Sequence, residues 1–135
     1  DLEFIKKNKI TIIRTNSNYS LKKSVLHVLK KINSGQNEDI KMLHGDNLLL
    51  EKISKKKDIV GIVPRKELYN THEVINIKNK EYIWSGYFNF SKKKLFIKCL
   101  SKSTNFVNAI KTYNKKKKLN YGFQKKWFDL GHVNT

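Results

Sequence analysis

Residues 40–47 read Ile-Lys-Met-Leu-His-Gly-Asp-Asn, an apolar run that ends abruptly in a polar loop. The apolar part predicts a buried strand, and the Gly-Asp-Asn triplet at 45–47 supplies residue types that tolerate turn geometry. In open α/β sheets, ligands bind at the carboxyl ends of the strands. We therefore expect Asp46 to lie at a ligand site, at the end of a strand around which most other elements are arranged.

A second acid has a similar setting near the end of the sequence, in the segment Trp-Phe-Asp-Leu-Gly-His at residues 127–132. Carboxylates at the ends of buried strands are suitable ligands for a hard divalent cation. We expect Asp46 and Asp129 to meet across a cleft and to bind a metal ion. The simpler alternative is that residues 45–47 form an ordinary turn, while Trp127 and Phe128 are core aromatics and Asp129 caps a helix.

Composition limits the class of protein. The 135 residues are 39 % hydrophobic, enough for the core of one domain spanning residues 1–135. An apolar run of about 18 residues is absent from the sequence, which predicts no membrane span. The single cysteine, Cys99, excludes an internal disulfide and lies in an apolar helical pattern, so we expect a buried thiol in a reducing, cytoplasmic compartment.

The net charge of +18 is typical of nucleic-acid-binding proteins, but the excess is almost entirely lysine. Arginine, which nucleic-acid readers use for bidentate contacts, occurs only at Arg14 and Arg65. We therefore interpret the lysines as solvated surface, and the charge as favouring a small anionic substrate or weak, non-specific polyanion binding at low salt.

Hydrophobic periodicity predicts alternating strands and helices. The predicted strands are 10–14, 40–43, 58–63 and 119–124, with a hairpin of 74–77 and 82–90, and the predicted helices are 20–33, 92–100 and 105–114, capped by Ser20, Ser91 and Thr104. The short apolar element formed by Leu48, Leu49, Leu50 and Ile53 predicts either a single helical turn or an edge strand. The order strand, helix, strand at the start predicts parallel pairing through a crossover. The expected fold is α/β, with a mixed, mostly parallel sheet flanked by helices.

Three segments, in this order, resemble motifs of sugar-phosphate nucleotidyltransferases of the bacterial capsule-biosynthesis type. Residues 43–47, Leu-His-Gly-Asp-Asn, are similar to the family's Leu-Gly-Asp-Asn, and residues 127–132 are similar to its Trp-Leu-Asp-Thr-Gly-Thr. Residues 83–90, Ile-Trp-Ser-Gly-Tyr-Phe-Asn-Phe, resemble its Gly-Leu-Tyr-Phe-Tyr strand beside the sugar. The resemblance covers about residues 1–135 and implies a truncated, Rossmann-like nucleotide-diphospho-sugar transferase fold.

The resemblance implies transfer of a nucleotidyl group from a nucleoside triphosphate to a sugar phosphate or another phosphate, with release of pyrophosphate. It implies a role in surface polysaccharide precursor synthesis, with Mg²⁺ held by Asp46 and Asp129 as the catalytic pair. The residues implied in substrate binding are Gly45, Asn47, Trp84, Gly86, Tyr87, Trp127 and His132. Homo-oligomer formation stays open.

The sequence also departs from the family. The Gly-rich loop with an arginine that binds the triphosphate is not found, and the Glu-Lys-Pro sugar motif is not evident. We therefore expect little or no turnover from this polypeptide alone. Two alternatives follow, which are a catalytically inactive nucleotidyltransferase-like subunit and a basic nucleic-acid-binding module whose exposed tyrosines stack on bases.

Overall fold

The structure, a computed structural model, describes residues 2–32, 38–52, 54–66 and 74–130. In chain order the described residues form two helices, five strands, two further helices and two final strands. The helices are α1 (Leu2–Lys7), α2 (Leu21–Lys31), α3 (Lys93–Lys102) and α4 (Phe106–Lys116). The strands are β1 (Ile40–Leu43), β2 (Asn47–Leu49), β3 (Ile59–Pro64), β4 (Val74–Ile77), β5 (Lys80–Phe90), β6 (Asn120–Phe123) and β7 (Trp127–Asp129).

The expected mostly parallel, Rossmann-like sheet is wrong. The main sheet has the order β1-β5-β3-β6, with β4 also on β5, and every pair is antiparallel except β3 with β6. A separate antiparallel pair joins β2 and β7. Strand β5 forms a hairpin with β4 and is also antiparallel to β1 and β3, so this central strand opposes each of its neighbours in the described sheet.

The predicted strand at 10–14 is also wrong, because residues 10–16 have no regular secondary structure. Most of its side chains are exposed, with Ile10 at 44 % and Ile12 at 65 %. No strand in the described ranges pairs with this segment, so β-propensity alone does not make it a strand. The parallel crossover that would have joined it to β1 is therefore not formed.

The β4–β5 hairpin confirms the sequence prediction. Lys78 and Asn79 form its two-residue turn with positive φ angles of 48° and 62°, as type I′ hairpins require. Further along β5, the register against β3 shifts between Val60 and Ile62. Gly86, which has a φ of 81°, lies in this bulged part of β5.

The core lies between the main sheet and the helices α2, α3 and α4. Aromatic rings dominate it: Phe90 stacks on Phe96 with ring centroids 4.0 Å apart and meets Tyr113 edge-on at 4.9 Å. Strand β3 is buried from Ile59 to Val63, which confirms that its continuous apolar run is a core strand. No helix within the described ranges is long and apolar enough to cross a membrane.

Asp58, just before β3, ties three elements together. Its carboxylate accepts hydrogen bonds from the Ser91 backbone N at 3.0 Å, the Ser91 Oγ at 2.6 Å and the Tyr113 hydroxyl at 2.7 Å. Burial by itself raises the pKa of Asp58, but these hydrogen bonds and the charge of Lys117 outweigh burial and leave that pKa below its usual value. Burial and the Asp58 carboxylate raise the pKa of Tyr113 above its ordinary range.

The same contacts explain an error in the cap predictions. Ser20 caps α2 as predicted, accepting from the Lys23 backbone N. Ser91 does not cap α3, because its hydroxyl donates to Asp58 instead. At α4, Asn105 rather than Thr104 provides the cap, accepting from the Asn108 backbone N.

Candidate functional site

The short β2–β7 ladder brings the two predicted aspartates to one place. Asn47 pairs with Asp129 in its register, and the Leu130 backbone N donates to the Asp46 carbonyl oxygen at 2.8 Å. Asp46 is exposed, whereas Asp129 is only 7 % exposed. Two acids that are distant in sequence are therefore neighbours through backbone pairing.

Both aspartates line a cavity of about 180 Å³. Trp84 and Gly86 from β5 line it as well, so parts of all three motif segments meet here. The remaining lining residues are mostly apolar, and the full set is Leu21, His44, Asp46, Asn47, Trp84, Gly86, Phe88, Phe106, Val107 and Asp129. We call this cavity the aspartate pocket.

Asn47 connects the aspartate pocket to the core. Its Nδ2 donates to Asp46 Oδ1 at 2.8 Å, and its Oδ1 accepts from Trp127 Nε1 at 2.9 Å. Trp127 Nε1 also donates to the Ser85 carbonyl oxygen at 2.8 Å. Trp127 is buried against Val63 and Ile83 and is not among the pocket's lining residues. It therefore positions Asn47 from the core and does not itself reach the pocket.

Replacing Trp127 with phenylalanine is expected to lower the free energy of unfolding by about 1–2 kcal/mol, because the buried Ser85 carbonyl and Asn47 Oδ1 lose their donor. Urea denaturation measures this. Trp84→Phe is the matched control and should cost clearly less, since Trp84 is only partly buried. Equal costs for the two variants would contradict the positioning role.

Gly86 is required for the close approach of its neighbours. The His44 backbone N donates to the Gly86 carbonyl oxygen at 3.0 Å. A Cβ at position 86 would lie 2.6 Å from Asn47 Nδ2 and 3.1 Å from His44 Cβ. The residues that approach Gly86 closely are therefore the pocket's own Asn47 and His44.

The other predicted substrate-binding residues do not reach this pocket. Tyr87 is buried on the opposite face of β5 from Trp84 and Gly86, because side chains alternate along a strand, and it borders a different depression. Gly45 lies in the exposed turn with open space around it and does not line the pocket. His132 lies outside the described residues.

His44 lines the aspartate pocket although the sequence interpretation did not select it. Its ring lies 5.5 Å from that of Phe88 and 5.9 Å from that of Phe106, and its buried Nε2 has no hydrogen-bond partner among the described residues. Burial lowers the pKa of His44, and the nearby Asp46 carboxylate opposes that shift. Its adjacency to the Gly-Asp-Asn triplet at the end of β1 was the available signal.

The donor set fits Mg²⁺ as a substrate-bound ion. Mg²⁺ is commonly held by one or two carboxylates together with substrate phosphates, rather than by a complete protein cage. Asp46 and Asp129 are two such carboxylates in one pocket. Within the described ranges no group of three or more His, Cys, Asp or Glu side chains could hold a metal.

Comparison of this chain with protein-family models, with curated protein sequences and with solved structures gives no match.

Proposed function

We propose that this chain is part of a sugar-phosphate nucleotidyltransferase, which transfers a nucleotidyl group to a sugar phosphate or another phosphorylated acceptor and releases pyrophosphate. The proposed setting is cytoplasmic synthesis of surface polysaccharide precursors. The observation that carries the proposal is that Asp46 and Asp129 line one pocket beside Trp84 and Gly86. These four residues come from the three segments that resemble the family's motifs.

The arrangement suits the charge problem of this reaction. Both reactants are anionic, and Mg²⁺ bound there would neutralise phosphate charge and align an in-line displacement. Asp46 and Asp129 would hold the ion, and Asn47 fixes the Asp46 carboxylate through its hydrogen bond. Trp84 would border the acceptor.

The decisive experiment measures binding, because the sequence has no Gly-rich triphosphate loop and little turnover is expected. Mn²⁺ is titrated into the protein with a nucleoside triphosphate present, and bound metal is followed by electron paramagnetic resonance. Asp46→Asn and Asp129→Asn are each expected to weaken Mn²⁺ binding at least tenfold, about 1.4 kcal/mol. The reason is that each variant removes one of two carboxylate ligands.

Asp39→Asn is the matched control, because it makes the same change of charge at a different acid. Asp39 lies at the start of β1 and forms an ion pair with Lys57. Its Mn²⁺ affinity should equal that of the wild type. Thermal unfolding of each variant shows whether it is folded at the titration temperature. Wild-type affinity in folded Asp129→Asn would overturn the proposal.

A further inference from the structure

Three lysine runs that are far apart in the sequence meet at one end of the main sheet. The runs are residues 55–57, 92–94 and 115–118. Their scatter along the sequence conceals a single concentration of positive charge in the fold. Six of these lysines line an open depression beside Asp58, which we call the lysine depression: Lys57, Lys92, Lys93, Lys94, Lys116 and Lys117.

The lysine depression is separate from the aspartate pocket. The two cavities share no lining residue and lie at opposite ends of the β1–β5 ladder. Asp39 and Ser91, at one end of that ladder, line the lysine depression, whereas His44 and Gly86, at the other end, line the aspartate pocket. A ligand of the lysine depression therefore does not compete with a metal ion in the aspartate pocket.

Two carboxylates oppose the six lysines in the described wall of the depression. Asp39 Oδ1 lies 3.2 Å from Lys57 Nζ, and Asp58 Oδ2 lies 3.8 Å from Lys117 Nζ. Asp58 also accepts the hydrogen bonds of Ser91 and Tyr113 described above. The wall therefore contains four more lysines than acids, and both of its acids already have partners.

The lysines differ in how accessible they are to a ligand. Lys93 is only 7 % exposed and its Nζ donates to the Ile32 carbonyl oxygen at 3.1 Å. Both Lys93 and Lys94 make further contacts. Lys92 and Lys116 are exposed, and neither forms an ion pair within the part of the chain that the structure describes. Lys92 and Lys116 are therefore the lysines of the wall most suited to contact an anion.

The stability of the fold does not account for all of this charge. Lys116 ends α4, where a cation interacts favourably with the helix dipole. Lys92 directly precedes α3, and Lys93 and Lys94 begin it, with no acid in the first turn and no side-chain cap. Cations at this end of a helix oppose its dipole and repel one another. A bound anion would offset that cost.

The residue types in the wall favour phosphate as that anion. Lysine binds phosphate as a compact point charge, whereas arginine supplies the planar fork used for carboxylates and base edges. Among the residues described in this wall there is no arginine and no aromatic ring. The wall therefore attracts phosphate charge but offers no surface on which a base can stack.

The size of the lysine depression indicates how many phosphates it can take. Its volume of about 880 Å³ lies within the roughly 300–1,000 Å³ of pockets that bind small molecules. One phosphate is small compared with this space, and it would leave most of the surrounding lysines without a contact. A chain of several phosphates can approach lysines from all three runs.

We infer that the lysine depression binds an oligophosphate chain, either free or as the phosphate part of a nucleotide. Lys92 and Lys116 contact the chain, and the other lysines of the wall contribute their charge. The inference goes beyond the proposed function, because this site shares no residue with the aspartate pocket and requires no metal ion.

The test compares phosphates of different length. Tripolyphosphate and orthophosphate are titrated separately into the metal-free protein by isothermal calorimetry, at an ionic strength of about 0.15 M, where distant charges are largely screened. Tripolyphosphate is expected to bind at least tenfold more tightly than orthophosphate, because its charges reach more of the lysines.

A nucleoside triphosphate distinguishes the two sources of such a chain. Affinity similar to that of tripolyphosphate would show that nucleotides are accepted, whereas much weaker binding would restrict the site to free oligophosphate. Both results support recognition of the chain. Binding more than about tenfold tighter than tripolyphosphate would show that the base is recognised, which would overturn the inference.

The double variant Lys92→Gln with Lys116→Gln is expected to weaken tripolyphosphate binding at least tenfold, because it removes the two most accessible charges of the wall. Lys78→Gln with Lys80→Gln is the matched control. It removes the same charge at the exposed β4–β5 turn, away from the depression, and should change the affinity by less than about twofold. Equal weakening in the two double variants would show attraction to the net charge alone. That result, or equal affinity for tripolyphosphate and orthophosphate, would overturn the inference.

Single-stranded oligothymidylates test for a larger partner. Affinity that rises with oligonucleotide length and exceeds that for tripolyphosphate would identify the occupant as a nucleic-acid backbone, and the compact oligophosphate would be wrong. This inference and the proposed function fail separately. Mn²⁺ binding that depends on both aspartates, without a preference for tripolyphosphate, would overturn only the oligophosphate site.

Discussion

Gly86→Ala is expected to lower the free energy of unfolding by about 2–4 kcal/mol and to disturb the aspartate pocket. Two costs add. A residue with a side chain at a φ of 81° loses about 1–2 kcal/mol relative to glycine. In addition, the new Cβ would lie 2.6 Å from Asn47 Nδ2, and forcing an extra methyl into a packed site costs about 1–3 kcal/mol.

The amide of Asn47 can turn away from that methyl, but only by giving up its hydrogen bonds to Asp46 and Trp127. Gly45→Ala is the matched control, because its Cβ would meet nothing within 4 Å. Urea denaturation of both variants measures the difference in stability. Titration of Gly86→Ala with Mn²⁺ shows whether metal binding in the aspartate pocket is disturbed. Equal stability of the two variants would show that position 86 tolerates a side chain.

Asp58→Ala is expected to lower the free energy of unfolding by about 3 kcal/mol. The substitution leaves the Tyr113 hydroxyl, which is fully buried, and the Ser91 donors without their acceptor. An unsatisfied buried donor costs about 1–3 kcal/mol, and hydrogen bonds to a charged group are at the upper end of the range. Alanine is also strained at the φ of 51° that Asp58 adopts.

Asp58→Asn separates the carboxylate charge from the backbone geometry, since asparagine tolerates this φ and keeps one acceptor oxygen. The pKa of Asp58 in the folded protein lies below its usual value of 3.8. Its ionised form therefore stabilises the fold fully above that pH, and this contribution is lost as the pH falls below it. The stability difference between wild type and Asp58→Asn should be constant from pH 5 to 8 and should shrink below about pH 4. A difference that grows on acidification would contradict this assignment.

Local sequence signals predicted most elements but not how they pair. The apolar stripe after Ser20 predicted α2, and the two strand-like runs on either side of Lys78 and Asn79 predicted the hairpin. Both predictions succeeded because these elements depend on residues that are close in sequence. The predicted parallel orientation of the strands was wrong, because strand orientation depends on which distant strands pair with β5. Residues 10–14 show the limit most clearly, because a β-branched run becomes a strand only beside another strand.

The same distinction applies to the candidate site. Asp46, Asp129, Trp84 and Gly86 line one pocket, although the two aspartates are brought together by the antiparallel β2–β7 pair and not by the carboxyl edge of a parallel sheet. Their role in catalysis and metal binding stays a prediction. The location of Tyr87 on the opposite face and the contacts of His44 with Phe88 and Phe106 depend on tertiary packing that no local pattern encodes.

The parallel pairing of β3 with β6 has a consequence for the folding kinetics. Ile59 and Asn120 are partners in this ladder although β4, β5, α3 and α4 all lie between them in sequence. Closing so long a loop costs entropy before any contact compensates for it, whereas the β4–β5 hairpin closes locally. The hairpin and the α3–α4 pair are therefore expected to form early, and β6 to join the sheet after the rate-limiting barrier.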